Sequence, residues 1–179
     1  MTATTNTTPE RALRAALKSA GFNARKVTVR RDHSTLHVTI RDAAVPRSIV
    51  KAIADQFSVV RRDERSGEIL CGGNTFVDVE YLPALVEPVA ATIVALLMPA
   101  EDGVIVALPG GFRAAKISRE RGASFSGQVQ IWGPGFEMFN SMACGVEFAA
   151  KRIAIAYLDA CALTPAPVTE SGSHAEVGA

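Results

Sequence analysis

Lys26-Val27-Thr28-Val29-Arg30-Arg31, then Asp32-His33-Ser34-Thr35, then Leu36-His37-Val38-Thr39-Ile40-Arg41, is the stretch that decides the fold. Val27 and Val29 alternate with Lys26, Thr28 and Arg30, and Leu36, Val38 and Ile40 alternate with His37, Thr39 and Arg41. A period of two sends alternate side chains to opposite faces of a strand. The stretch therefore predicts a β-hairpin with one apolar face, turning at Asp32-His33-Ser34. That face needs a cover, and the flanking sequence supplies helices for it.

Upstream, Thr8-Pro9-Glu10 is a helix start: Thr accepts from unpaired backbone N–H groups, Pro suits the first helical position, and Glu favours the positive helix end. Leu13, Ala16, Leu17 and Ala20 recur at helical spacing, and Gly21 provides the stop. Arg11, Arg14 and Lys18 fall on the other side of this helix as a solvent-facing stripe. Downstream, Asp42 precedes Pro46, and Ile49, Val50, Ile53, Ala54 and Phe57 form the apolar side of a second helix. Gly67 to Cys71, the turn Gly72-Gly73-Asn74 and Thr75 to Tyr81 predict a second hairpin. The first half thus reads as α-β-β-α-β-β, an α+β module with helices packed on one face of an antiparallel sheet.

The second half reads as helix-strand-strand-helix. Leu82 to Met98 is apolar, yet shorter than a bilayer span and interrupted by Pro83, Glu87 and Pro88, which predicts a buried helix with room for a kink at Pro88, and no membrane association. Gly103 to Leu108 and Gln128 to Trp132 predict strands, with room for another near Phe112 to Ser118. Phe139, Met142, Val146, Ala149, Ile153 and Tyr157 line one face of a long final helix. The expected organisation is a basic module over 9–81, an acidic module over 82–163 packed against it, and a disordered tail over 164–179.

Composition narrows the class. Apolar residues make up 48% of the 179 residues and charged residues 21%, which excludes a natively disordered chain. The Thr-rich start has neither the apolar run of a signal peptide nor an Arg-rich amphipathic pattern, which predicts a cytoplasmic protein. Cys71, Cys144 and Cys161 form no CxxC pair and sit in apolar segments, so they are expected to be buried and reduced, with no disulfide framework or zinc site. Net charge is only +1, but it is unevenly spread. Through Arg65 there are 13 Lys and Arg against 6 Asp and Glu, a balance of +7; the remainder has 6 against 12, a balance of −6. Such asymmetry suits a polyanionic partner, or an attraction between the two halves.

The candidate binding set is Arg11, Arg14, Lys18, Lys26, Arg30, Arg31, Arg41, Arg61, Arg62 and Arg65, with Arg47 nearby, all able to neutralise phosphates. The bland alternative is that they are solvated charges, some paired with Asp78, Glu80 or the acidic half. The hairpin presents no aromatic platform for stacking bases, which disfavours single-strand recognition of the stacking kind. A secondary candidate is the loop Pro109-Gly110-Gly111 with Arg113 and Lys116, which could offer backbone N–H groups to an anion. It matches neither a P-loop nor a GxGxxG fingerprint, and tight turns account for such glycines as readily. His33 and His37 lack a carboxylate or thiol at ligand spacing, no GxSxG elbow exists, and Cys144 has an apolar setting, so no catalytic residue, metal or cofactor is expected.

Ala12-Leu13-Arg14-Ala15-Ala16-Leu17-Lys18, Lys26 to Arg30, Leu36 to Asp42, and Gly72-Gly73-Asn74 with Phe76 to Tyr81 resemble the large polyvalent protein-associated domains carried by plasmids, phages and integrative elements. The resemblance covers about residues 9–81 and carries no catalytic residues. It implies an accessory protein that accompanies mobile DNA on entry, of a kind that includes protectors against host defences; with the basic set beside it, the expectation is a non-enzymatic protein that binds nucleic acid or a host nucleic-acid-handling defence complex. Two other classes stay open: a nucleotide-acting enzyme using the Pro109-Gly110-Gly111 loop, and a self-assembling structural module forming a homo-oligomer.

Overall fold

Helix α1 spans Pro9–Ser19 and begins as its sequence requires, with the Thr8 hydroxyl accepting from the Arg11 N–H and Pro9 in the first position. It buries Leu13 and Leu17. Strands β1 (Val27–Asp32) and β2 (Thr35–Ile40) form the expected antiparallel hairpin, with Val27 opposite Ile40 and Val29 opposite Val38. His33 takes a positive φ of 47° in the turn. Helix α2 (Arg47–Ala54) continues as a 3-10 turn to Phe57. The computed structural model describes residues 8–117, 128–134, 136 and 141–164, and the tail from Pro165 lies outside them.

The second hairpin does not form. Strand β3 (Phe76–Tyr81) pairs in parallel with β2, giving a mixed sheet of order β1-β2-β3. Val77, Val79 and Tyr81 stand beside Leu36, Val38 and Ile40 on one face, where α1 and α2 cover them. The segment Gly67 to Cys71 contributes one isolated bridge, Arg62 to Ile69, and leaves Ile69 and Leu70 exposed. The physical reason is the helix between β2 and β3. A buried crossover helix returns the chain to the start of β2, which makes parallel addition the way to put β3's apolar face in the same core.

Helix α3 (Pro83–Leu97) includes Pro88 and buries Val86, Ala90, Ile93 and Leu97. Strands β4 (Val106–Ala107), β5 (Arg113–Ile117), β6 (Gln128–Trp132) and β7 (Ser141–Cys144) then form an antiparallel sheet in chain order. Helix α4 (Val146–Leu163) packs on α3 through Ala149, Ala150, Ile153, Ala154 and Leu158. The expected helix-strand-strand-helix pattern is therefore too sparse, and the helix expected to run from Phe139 starts only at Val146. Gly145, with φ 88°, separates strand from helix there, so Met142 and Cys144 are strand residues. Phe139 and Asn140 lie outside the described residues. The α+β class holds, and the buried apolar residues of both halves form one cluster.

One side-chain cap ties the halves, and a buried tyrosine fixes the chain leading into it. Pro46 cannot cap α2 with a side chain, and Asp159 of α4 does so instead, accepting from the Ser48 N–H (3.1 Å) and hydroxyl (3.2 Å). The Tyr81 hydroxyl, buried at the end of β3, donates to the Val45 carbonyl (3.0 Å) and accepts from the Arg47 N–H (3.2 Å). Burial pushes its pKa up to about 12.

Candidate functional site

Seven of the protein's cations, Arg11, Arg14, Lys18, Arg25, Lys26, Arg30 and Arg31, fall within residues 8–32 with Glu10 and Asp32 to oppose them, and Asp42 lies 3.6 Å from Lys26. That short stretch is α1, the turn after it, and β1. β1 is an edge strand packed against α1, so these cations lie on two adjoining elements, with Lys26 and Arg30 alternating onto the sheet face opposite buried Val27 and Val29. Arg11, Arg14, Lys18, Arg25, Arg30 and Arg31 are exposed and Lys26 is half-exposed.

A groove of about 510 Å³ runs between the two elements. Arg14, Leu17 and Lys18 line it from α1, Phe22, Asn23 and Ala24 from the connection, and Val27, Thr28 and Val29 from β1. The connection is fixed by its own hydrogen bonds. Phe22 N–H donates to the Leu17 carbonyl (2.9 Å), and the Asn23 side-chain oxygen accepts from the N–H groups of Arg25 (3.0 Å) and Lys26 (3.2 Å). These acceptances assign Oδ1, which leaves Nδ2 as a donor.

The outer edge of β1 is partly closed. The Lys26 carbonyl accepts from Arg41 N–H (2.7 Å), so alternation turns the main-chain groups of Val27, Val29 and Arg31 away from β2. The Val27 N–H donates to the Asn23 carbonyl (3.0 Å), and Arg14 donates to the Val29 carbonyl (2.6 Å) while pairing with Glu10 (2.6 Å). Arg14 is thereby a positioning residue that joins α1 to the sheet.

The remaining members of the sequence set are dispersed. Arg41 is exposed at the opposite end of β2 from the hairpin turn, beside Lys26, whose ammonium lies 3.6 Å from Asp42. Arg47 donates to the Val79 carbonyl (2.8 Å) and serves the fold. Arg61, Arg62 and Arg65 lie in the excursion before β3. Val59 pairs with Thr75, and Phe76 N–H donates to the Ser34 carbonyl, so this excursion starts at the hairpin-turn end of the sheet but beyond the β3 edge. Two strand spacings, about 10 Å, separate that edge from β1. Asp63, Glu64 and Glu68 balance the three arginines there. Backbone N–H groups of Ser66 and Arg65 hold the Asp63 carboxyl below the usual carboxylate range.

Among the described residues, no ion pair links the basic set to the second half, and Asp78 lies against His37 (3.7 Å) rather than an arginine. The expectation that Asp78 or Glu80 absorbs the arginines is not met. Of the secondary loop's glycines, Gly110 serves packing, while a Cβ on Gly111 would meet nothing within 4 Å. A Cβ on Gly110 would lie 2.6 Å from the Tyr157 ring, and Gly110 and Gly111 both have positive φ. Lys116 donates to the Met98 carbonyl (3.0 Å) at the end of α3, and Arg113 is exposed on β5. Cys71 and Cys161 are exposed, contrary to their apolar neighbours, because the first sits in the excursion and the second on the outward side of α4.

Sequence reading missed Phe22, Asn23 and Arg25. Its signal was there: Gly21-Phe22-Asn23 places one aromatic residue where the chain reverses from the first helix to the first strand. No family model, no curated protein and no solved structure matches this chain at a significant level.

Proposed function

We propose that this chain is a non-enzymatic accessory protein of a mobile genetic element and binds nucleic acid through its α1–β1 side. The mobile-element part rests on the resemblance of residues 9–81. The nucleic-acid part is carried by one observation: α1, the turn and β1 hold seven cations against two acids, Glu10 and Asp32, and no described ion pair joins these cations to the acidic half. Such a surface neutralises phosphates and releases their counterions, which makes affinity depend steeply on salt. A host nucleic-acid-handling complex would meet the same cations with an acidic surface.

The test is fluorescence anisotropy with labelled single and double strands of about 20 nucleotides, titrated between about 50 and 200 mM salt. The expected log–log slope is at least about −3, that is, roughly four phosphate contacts. Absence of binding at the lowest salt would overturn the reading.

A further inference from the structure

The groove between α1 and β1 is shaped for more than charge. Leu17, Phe22 and Val27 make it apolar within, while Lys18 stands at its rim. Its volume of about 510 Å³ falls in the range of small-molecule sites. A peptide strand needs an open ladder of N–H and C=O groups, and here Asn23 occupies the Val27 N–H and Arg14 the Val29 carbonyl. The occupant is therefore a compact group with a flat apolar body and an anion beside it.

We propose that the groove is a nucleotide subsite for single-stranded nucleic acid, in which one unpaired base lies against Phe22. Asn23 Nδ2 donates to an acceptor on the base edge, and the flanking phosphates meet Lys18 and Arg25. Charge complementarity selects the strand, since α1, the turn and β1 that hold the groove carry seven cations against two acids. The inference rests on the nucleic-acid reading above and adds base contact to phosphate contact.

The experiment compares a labelled strand of about 12 deoxyadenosines with an abasic deoxyribose-phosphate chain of equal length. The full protein is expected to bind the base-bearing strand about tenfold more tightly, the effect of a single stacked base. Phe22→Leu keeps an apolar side chain but removes the ring, and should bring both ligands to the abasic affinity with an unchanged salt slope. Ala24→Trp, at an exposed position on the groove wall, should do the same by filling it, and stands in if Phe22→Leu does not fold. Equal affinity of the wild type for the two chains overturns the subsite and leaves the phosphate reading intact; no binding of either overturns both. Displacement by free adenosine monophosphate as effectively as by the strand makes it a mononucleotide site and overturns the strand assignment. Tighter binding of polyglutamate than of either chain assigns the groove to an acidic protein instead.

Discussion

In the first half, Val27, Val29, Leu36, Val38 and Ile40 fill one sheet face beneath two amphipathic helices, and the polar residues between them are left to solvent. In the second half, contacts between backbone and rings do much of the work: Gly110 lies against Tyr157, and Gly133 against Phe112, which itself meets Phe136 edge-on at 6.1 Å. The first construction largely separates stability from surface chemistry, so the α1–β1 cations other than Arg14, which joins α1 to the sheet, can serve a ligand without holding the core. The second uses Gly110 and Gly133 for packing, which engages one of the two glycines of the candidate anion loop and leaves Gly111 in open space.

The sharpest break of this comparison comes from paired glycine substitutions. A Cβ on Gly133 would lie 2.6 Å from the Phe112 ring and 3.1 Å from its Cα, at a φ of +139°. Backbone cannot swing aside as a side chain can, so Gly133→Ala should cost about 3 kcal/mol, from overpacking and strain together. Gly72, in the first half, also has positive φ (+81°) but nothing within 4 Å of a new Cβ. Gly72→Ala should cost only about 1 kcal/mol. Urea unfolding of the two variants measures the difference, and equal losses would mean that both halves depend on backbone conformation alone.

Tyr81 tests how the end of β3 holds the entry to α2 within the first half. Tyr81→Phe removes a hydroxyl bonded to the Val45 carbonyl and the Arg47 N–H, and should destabilise by about 1–2 kcal/mol at neutral pH. The pH dependence has a definite sign. With a folded pKa of about 12 and an ordinary value of 10.0, the unfolded chain releases this proton first. Stability tied to Tyr81 is therefore complete below pH 10 and falls between pH 10 and 12, by at most about 3 kcal/mol. Comparing wild type with Tyr81→Phe across that window isolates the tyrosine's share; parallel curves would refute it.

A smaller effect belongs to Asp159. Asp159→Ala strips the cap from α2 and should cost about 1 kcal/mol, whereas Asp159→Asn keeps an acceptor for the Ser48 N–H and should cost less. Amide exchange at Ser48 should rise in the alanine variant and little in the asparagine variant.

The sequence made the first half legible as far as each signal was local. Thr8-Pro9 marks a helix start by hydrogen bonding within four residues, and the β1–β2 alternation reports burial strand by strand. It failed at Gly72-Gly73-Asn74, because a glycine turn looks the same whether it closes a hairpin or ends an excursion; the partner of β3 is set by the distant α2 crossover. Gly145 misled for a related reason, since apolar residues on both sides of it continue a helical pattern that the backbone interrupts. Most of the site's cations were legible as charges, but the groove was not. Phe22 acquires meaning only when α1 and β1 are laid side by side, and Asn23 when its oxygen is consumed by the turn.

The smallest change in stability should accompany the largest contrast in binding. Arg30 and Arg31 lie on the β1 side, where acids are scarce; Arg61 and Arg62 lie beyond the β3 edge among Asp63, Glu64 and Glu68. All four are exposed, and none enters a described ion pair, so each alanine pair should shift unfolding by less than about 1 kcal/mol. A phosphate contact contributes roughly 0.7 to 0.9 to the log–log salt slope. The Arg30→Ala/Arg31→Ala protein should therefore lose about 1.5 units of slope if both contact phosphate, while Arg61→Ala/Arg62→Ala should keep the wild-type slope. The reverse result would move the interface to the β3 edge, since the local acids there would then have failed to cancel the arginines. Equal losses would make the whole hairpin-turn end of the sheet one surface, spanning the roughly 10 Å between its edges.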